Sequence, residues 1–105
     1  MKLTGCILSV ALATAATAAH AQGGIPEADL GRSLAATCAN CHGTGGKAVS
    51  GSTVASLAGR PKEELVRLMS EFRDGKRPAT IMHQLAKGYT PAQVDTMSAW
   101  FAAQK

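Results

Sequence analysis

The chain has 105 residues, of which 46% are hydrophobic and only 4% are aromatic. Its formal net charge is +4, from 11 Lys and Arg residues against 7 Asp and Glu residues. The length fits one small domain, and the basic residues do not form the aromatic-interleaved block that nucleic-acid binding requires.

Residues 1–21 have the features of a secretory signal peptide. Lys2 gives a basic start, residues 6–18 are apolar and rich in small side chains, and residues 19–21 (AHA) fit an A-x-A cleavage site. The alternatives are a membrane anchor or a buried helix, but the apolar run is too short and too rich in alanine for a good span. We expect a periplasmic domain of residues 22–105 with no stable membrane span.

A first helix is predicted over residues 26–37. Pro26 suits the first helical position, and two acidic residues follow it near the positive end of the helix dipole. Leu30, Leu34 and Cys38 are spaced at i, i+4 and i+8, which gives one apolar stripe. The helix therefore leads the chain directly into the next motif.

Residues 38–42 (CANCH) form a Cys-x-x-Cys-His motif, the signature of covalent haem attachment. Cys38 and Cys41 can each form a thioether to one haem vinyl group, and His42 then lies under the iron as an axial ligand. Cys6 is lost with the signal peptide, so these are the only two cysteines of the predicted mature domain.

Two other kinds of site use paired cysteines. A zinc site needs further Cys or His ligands, and His83 is the only other histidine of the mature domain. A thioredoxin-like dithiol needs a βαβ setting, which the sequence does not predict. A haem would also supply the apolar mass that so small a domain lacks, and we expect the haem-free chain to be largely unfolded.

A loop and a second helix follow the motif. Residues 43–56 are rich in Gly, Ser and Thr, and they lack the spacing and the preceding strand of a phosphate-binding loop. Residues 61–74 predict a helix that starts near Pro61 and stops at Gly75. Its apolar face contains Leu65, Leu68, Met69 and Phe72.

Two more helices complete the prediction. After breaks at Gly75 and Pro78, residues 82–87 predict a short helix. A last helix begins at Thr90-Pro91-Ala92-Gln93, where Thr90 and Gln93 form a capping box. Its inward face contains Val94, Met97, Trp100 and Phe101. No segment predicts a strand, so the fold class is all-α.

The sixth iron ligand is open at this point. Met69 and Met97 lie on apolar helix faces, where methionine is usually core filling. Met82 lies between two helices after the Pro78 break, where the chain can fold over one haem face, and a thioether opposite histidine raises the reduction potential. His83 is the competing ligand and would give a lower potential, unless it lies on the surface.

The order of these motifs resembles the small class I c-type cytochromes. The resemblance covers residues 27–103 and rests on CANCH with its Gly-rich loop, Leu57-Ala58-Gly59, the helix containing Phe72, and the segment around Met82. Residues 81–89 (IMHQLAKGY) look most like the cytochrome subunit of flavocytochrome c sulfide dehydrogenase. The resemblance implies three to five helices wrapped around one covalently bound haem c.

Site roles follow from the resemblance. It implies that Cys38 and Cys41 carry the haem thioethers, that His42 is the proximal ligand and that Met82 is the distal one. It implies that the first and last helices cross near Leu30, Leu34, Trp100 and Phe101.

Two departures from the family stand out. Leu34 replaces an aromatic residue of many relatives, and no proline follows His42 in the loop to orient the imidazole through its carbonyl. We expect a backbone carbonyl near residues 48–52 to do so.

The implied function is one-electron transfer. Protein ligands on both sides of the iron leave no open position, so no catalytic residue is expected and the chain alone is not an enzyme. The implied donor is a flavoprotein dehydrogenase subunit that oxidises sulfide. The alternatives are a free-standing periplasmic cytochrome c serving other redox proteins, and a catalytic or ligand-sensing haem domain with an open sixth site.

Overall fold

The computed structural model describes residues 23–105, so the predicted signal peptide lies outside the described residues. Two short 3₁₀ turns, Ala36–Cys38 and Thr44–Gly46, accompany five α-helices in this range. The helices are α1 (Glu27–Ala35), α2 (Ala39–His42), α3 (Lys62–Arg73), α4 (Met82–Lys87) and α5 (Pro91–Ala102). Residues 23–105 contain no strand, which confirms the all-α prediction. None of these helices has the length and apolar character needed to cross a membrane.

Local sequence signals set the helix starts. At α5 the predicted capping box is present, since Thr90 Oγ1 accepts from the Gln93 amide and Gln93 Oε1 accepts from the Thr90 amide. Pro26 and Pro61 instead occupy the N-cap positions of α1 and α3, one residue before the first helical position. Their extended ψ angles of 142° and 134° place them just outside the helices.

Helices α1, α3 and α5 enclose a small core. Its buried members are Ala35, Leu65, Val94, Met97 and Phe101. Half-buried apolar side chains pack around them: Leu34, Cys38, Leu57, Val66, Met69, Tyr89 and Trp100. The inward face predicted for α5 is therefore confirmed, and Phe101 is the one aromatic ring among the buried members. The face predicted for α3 is confirmed at Leu65 and Met69 only, because Leu68 and Phe72 are half-buried outside this cluster.

The first and last helices cross at Gly31. A Cβ atom added there would lie 3.0 Å from Trp100 Cβ and 3.1 Å from the Thr96 carbonyl oxygen. The predicted crossing of these helices is confirmed, but Leu30 is 39% exposed and does not lie at its centre. Successive helical residues are about 100° apart around the axis, so contact at Gly31 turns Leu30 away from α5.

We predict that Gly31→Val lowers the free energy of unfolding by about 1–3 kcal/mol, the usual cost of overpacking. Neither the Trp100 Cβ nor a backbone carbonyl can give way without moving α5. Guanidinium denaturation of the haem-loaded chain measures the effect. Ser33→Val is the matched control, because Ser33 is exposed on the same helix; equal midpoints for the two variants would contradict close packing at Gly31.

Candidate haem-attachment site

The Cys-x-x-Cys-His motif lies on a nearly continuous right-handed helical path. Ala36, Cys38 and Ala39 all keep helical dihedral angles, so α1 passes through the 3₁₀ turn into α2 without a break. Residues three apart on such a path share one side of it, which places the two cysteines together. Cys38 is half-buried against the core and Cys41 is exposed, and both are free thiols.

The chemistry of Cys38 differs from that of a redox dithiol. Burial raises the pKa of the Cys38 thiol above its ordinary value, a hydrogen bond with Thr37 opposes the rise, and the neighbouring Cys41 adds to it. Cys38 is therefore protonated at neutral pH. Reactive cysteines of dithiol enzymes have a lowered pKa, so the environment of Cys38 does not favour that alternative.

The His42 ring is oriented by a backbone carbonyl. Its Nδ1 lies 2.6 Å from the carbonyl oxygen of Ala55. A carbonyl only accepts, so Nδ1 carries the proton of this bond and Nε2 is the nitrogen left for a metal. This is the usual support of a metal-binding histidine.

The orienting carbonyl, expected near residues 48–52, thus belongs to Ala55, three positions further along the chain. Residues 49–52 form a turn, which the hydrogen bond from the Ser52 amide to the Val49 carbonyl closes. The backbone reaches the His42 ring only after this turn, at Ala55.

The loop that carries Ala55 is fixed at both ends. Gly43 has a φ of 85°, and a Cβ there would overlap the Lys47 carbonyl, so the sharp turn after His42 needs glycine. Ser56 Oγ donates to the Gly46 carbonyl at 2.9 Å, and the Gly59 amide donates to the Phe101 carbonyl at 3.0 Å. The carbonyl facing His42 is therefore held through α5.

Met82 is the first residue of α4 and is half-buried. The other two methionines of the described chain are engaged elsewhere. Met97 is 3% exposed within the core and Met69 packs against that core, which confirms both as core filling.

His83 is half-buried in the first turn of α4. Its Nε2 lies 2.5 Å from the Arg77 carbonyl oxygen, and its ring centroid lies 6.3 Å from that of Phe72. Because the carbonyl only accepts, Nε2 is the donor of this bond. That nitrogen is not free to bind a metal while the bond lasts.

Tyr89 links α4 to the attachment turn. Its hydroxyl lies 2.9 Å from Thr37 Oγ1, directly before Cys38. Its carbonyl accepts from Arg73 Nη2 at 2.8 Å, at the end of α3. Sequence reasoning did not single out these partners; the one available signal was that Tyr89 is the only tyrosine of the chain.

The donor set fits a covalently bound haem. Cys38 and Cys41 offer two free thiols one turn apart, and His42 offers a free Nε2. Val54 and Ile81, the sequence neighbours of Ala55 and Met82, are 37% and 56% exposed, so apolar surface is available beside both segments. Within residues 23–105, no group of three or more His, Cys, Asp or Glu side chains is arranged to hold a metal ion.

The all-helical fold and the Cys-x-x-Cys-His site agree with what comparison with known proteins found. Three curated relatives are 33–35% identical to the chain, and all are named as cytochromes or electron acceptors. The chain belongs to the class I c-type cytochromes, a class of electron-transfer proteins. No protein-family model matches it.

Two of the relatives are named for different dehydrogenases. The cytochrome subunit of sulfide dehydrogenase of Chlorobaculum tepidum is 35% identical over 68% of this chain and 63% of its own length. The thiosulfate dehydrogenase electron acceptor of Thiomonas intermedia is 34% identical over 68% of this chain and 33% of its own length. Cytochrome c4 of Pseudomonas aeruginosa is 33% identical over 83% of this chain and 41% of its own length. The chain therefore spans less than two thirds of each relative's length.

We predict that Tyr89→Phe lowers the free energy of unfolding by about 1 kcal/mol, since it removes one hydrogen bond. Thr37→Val should have a similar effect, and the double variant should lose little more than either single one. Urea denaturation of the haem-loaded proteins measures this cycle. Fully additive losses would show that the two hydroxyls do not interact.

Proposed function

We propose that residues 22–105 form an exported one-electron carrier with one covalent haem c, whose iron is bound by His42 and Met82. We further propose that it accepts electrons from a flavoprotein subunit that oxidises sulfide. In this proposal residues 1–21 are a signal peptide that is removed on export to the periplasm. The observation that carries it is the hydrogen bond between His42 Nδ1 and the Ala55 carbonyl, which leaves Nε2 free beside two free thiols.

The attachment half of the site supports covalent binding. Cys38 is a neutral thiol, the form that can add across a vinyl group, and Cys41 is exposed where a planar ligand can reach it. Two thioethers would prevent cofactor loss from a domain whose protein core is small. When bound, the haem supplies the one-electron iron couple that the chain itself lacks.

Elimination among the side chains supports Met82 as the distal ligand. Met69 and Met97 pack in and against the core, and His83 uses Nε2 on the Arg77 carbonyl. Met82 is half-buried with an exposed apolar neighbour, Ile81. A neutral thioether favours the reduced, less charged iron, so this residue would raise the potential.

The partner proposal rests on the relatives' names and on surface chemistry. A sulfide dehydrogenase subunit and a thiosulfate dehydrogenase acceptor both take electrons from a sulfur-oxidising enzyme, by their names. Exposed apolar side chains near the site would suit a partner dock: Val49, Val54, Ile81 and Leu85. The third relative, cytochrome c4, has no dehydrogenase in its name, which favours a second candidate, a free-standing periplasmic carrier.

We predict that Met82→Ala abolishes the weak red absorption band of methionine-ligated ferric haem. It should also lower the reduction potential by at least about 60 mV, a tenfold change for a one-electron couple. Met69→Leu is the matched control and should keep both. An unchanged Met82→Ala spectrum would refute the assignment.

We predict that the haem-loaded chain, purified from its source cells through an affinity tag, retains a flavin-containing subunit. Sulfide should reduce the haem of that complex much faster than the haem of the isolated chain. A flavin-free product with no such acceleration would favour the free-standing carrier instead.

A further inference from the structure

We propose that His83 is a positioning residue that keeps the Met82 loop closed by donating its Nε2 proton to the Arg77 carbonyl. The inference rests on the proposed function, in which Met82 is the distal ligand. In this inference Met82 and His83 do not compete for the iron. Met82 supplies the ligand atom, and His83 fixes the backbone that presents it.

The bond closes a loop that has no regular structure of its own. Residues 74–81 join α3 to α4 and contain no helix. The His83–Arg77 bond spans six positions and encloses Met82. On the α4 side, the amides of Gln84 and Leu85 both donate to the Ile81 carbonyl, at 3.0 and 3.2 Å. The loop is thus tied to α4 at Arg77 as well as at Ile81.

Arg77 is itself anchored to α3. Its Nε donates to Glu71 Oε2 at 2.9 Å, and its guanidinium carbon lies 5.9 Å from the centre of the Phe72 ring. Hydrogen bonds from Arg77 and then from Arg67 lower the pKa of Glu71, so this carboxyl is ionised at neutral pH. The carbonyl that His83 holds therefore belongs to a residue that is fixed in place.

Phe72 lies next to both His83 and Arg77. Its ring lies beside that of His83 at 6.3 Å, with an interplanar angle of 59°, and beside the Arg77 guanidinium. The imidazole therefore has a tilted aromatic neighbour in addition to the hydrogen bond at Nε2. A thioether is a weak neutral ligand, and its occupancy depends on how little the loop must reorganise to present it.

The test compares two His83 variants of the haem-loaded chain. His83→Phe keeps a ring beside Phe72 but removes the donor, whereas His83→Gln places an amide donor at a similar reach. We expect His83→Phe to bind cyanide in the oxidised state about three- to tenfold faster, as loss of one hydrogen bond allows. Its red absorption band should also disappear at a lower temperature. His83→Gln should stay close to the wild type.

Two further variants complete the design. Gln84→Ala changes an exposed residue of the same helix and should leave the cyanide rate unchanged. Glu71→Gln weakens the anchor of Arg77 without changing His83. It should also speed cyanide binding, as His83→Phe does. It serves as the deciding variant if His83→Phe does not fold. Hydrogen exchange of the Gln84 and Leu85 amides, which donate to the Ile81 carbonyl, should rise in parallel with the cyanide rate.

The outcomes separate this inference from the proposed function. A wild-type protein without the red band shows that Met82 is not the ligand, and both ideas fail. If the wild type has the band, a His83→Phe rate equal to that of Gln84→Ala overturns the positioning role alone. A His83→Gln variant that behaves like His83→Phe also overturns it, because the donor would then not be the cause.

Discussion

The close crossing of α1 and α5 is the constraint on which the rest of the structure depends. Gly31 lets α1 approach Trp100 closely, and this contact fixes the direction in which α1 runs on into the attachment turn. The next residue of α5, Phe101, holds the loop after His42, because its carbonyl accepts from the Gly59 amide. One helix therefore positions both the cysteines and the carbonyl that orients His42, although none of the proposed haem-binding residues lies on it.

The two histidines of the described chain show how a backbone carbonyl can assign a role. His42 donates from Nδ1, which leaves the more accessible Nε2 free for a metal. His83 donates from Nε2 and thereby gives up that atom. The residue type is the same, and the opposite choice of nitrogen makes one a candidate ligand and the other a support. The positions of the Ala55 and Arg77 carbonyls therefore decide which ring nitrogen of each histidine stays free.

The helices, the attachment motif and the core role of Met69 and Met97 could be predicted from the sequence, because periodicity and capping are local signals. It did not reveal Ala55 as the partner of His42, since a main-chain carbonyl leaves no mark on residue identity. The role of His83 was missed for the same reason. The apolar stripe of α1 predicted a contact face but not that Gly31 is its centre, because a missing side chain gives no hydrophobic signal.

The central claim is that this chain holds one haem c in a closed His42/Met82 site. A reduced-minus-oxidised spectrum with a redox titration of the haem-loaded chain tests it most directly. The account predicts one c-type haem with a single one-electron transition, and a red band in the oxidised form. A colourless exported product would contradict the account, as would a haem without the red band that rapidly binds carbon monoxide when reduced.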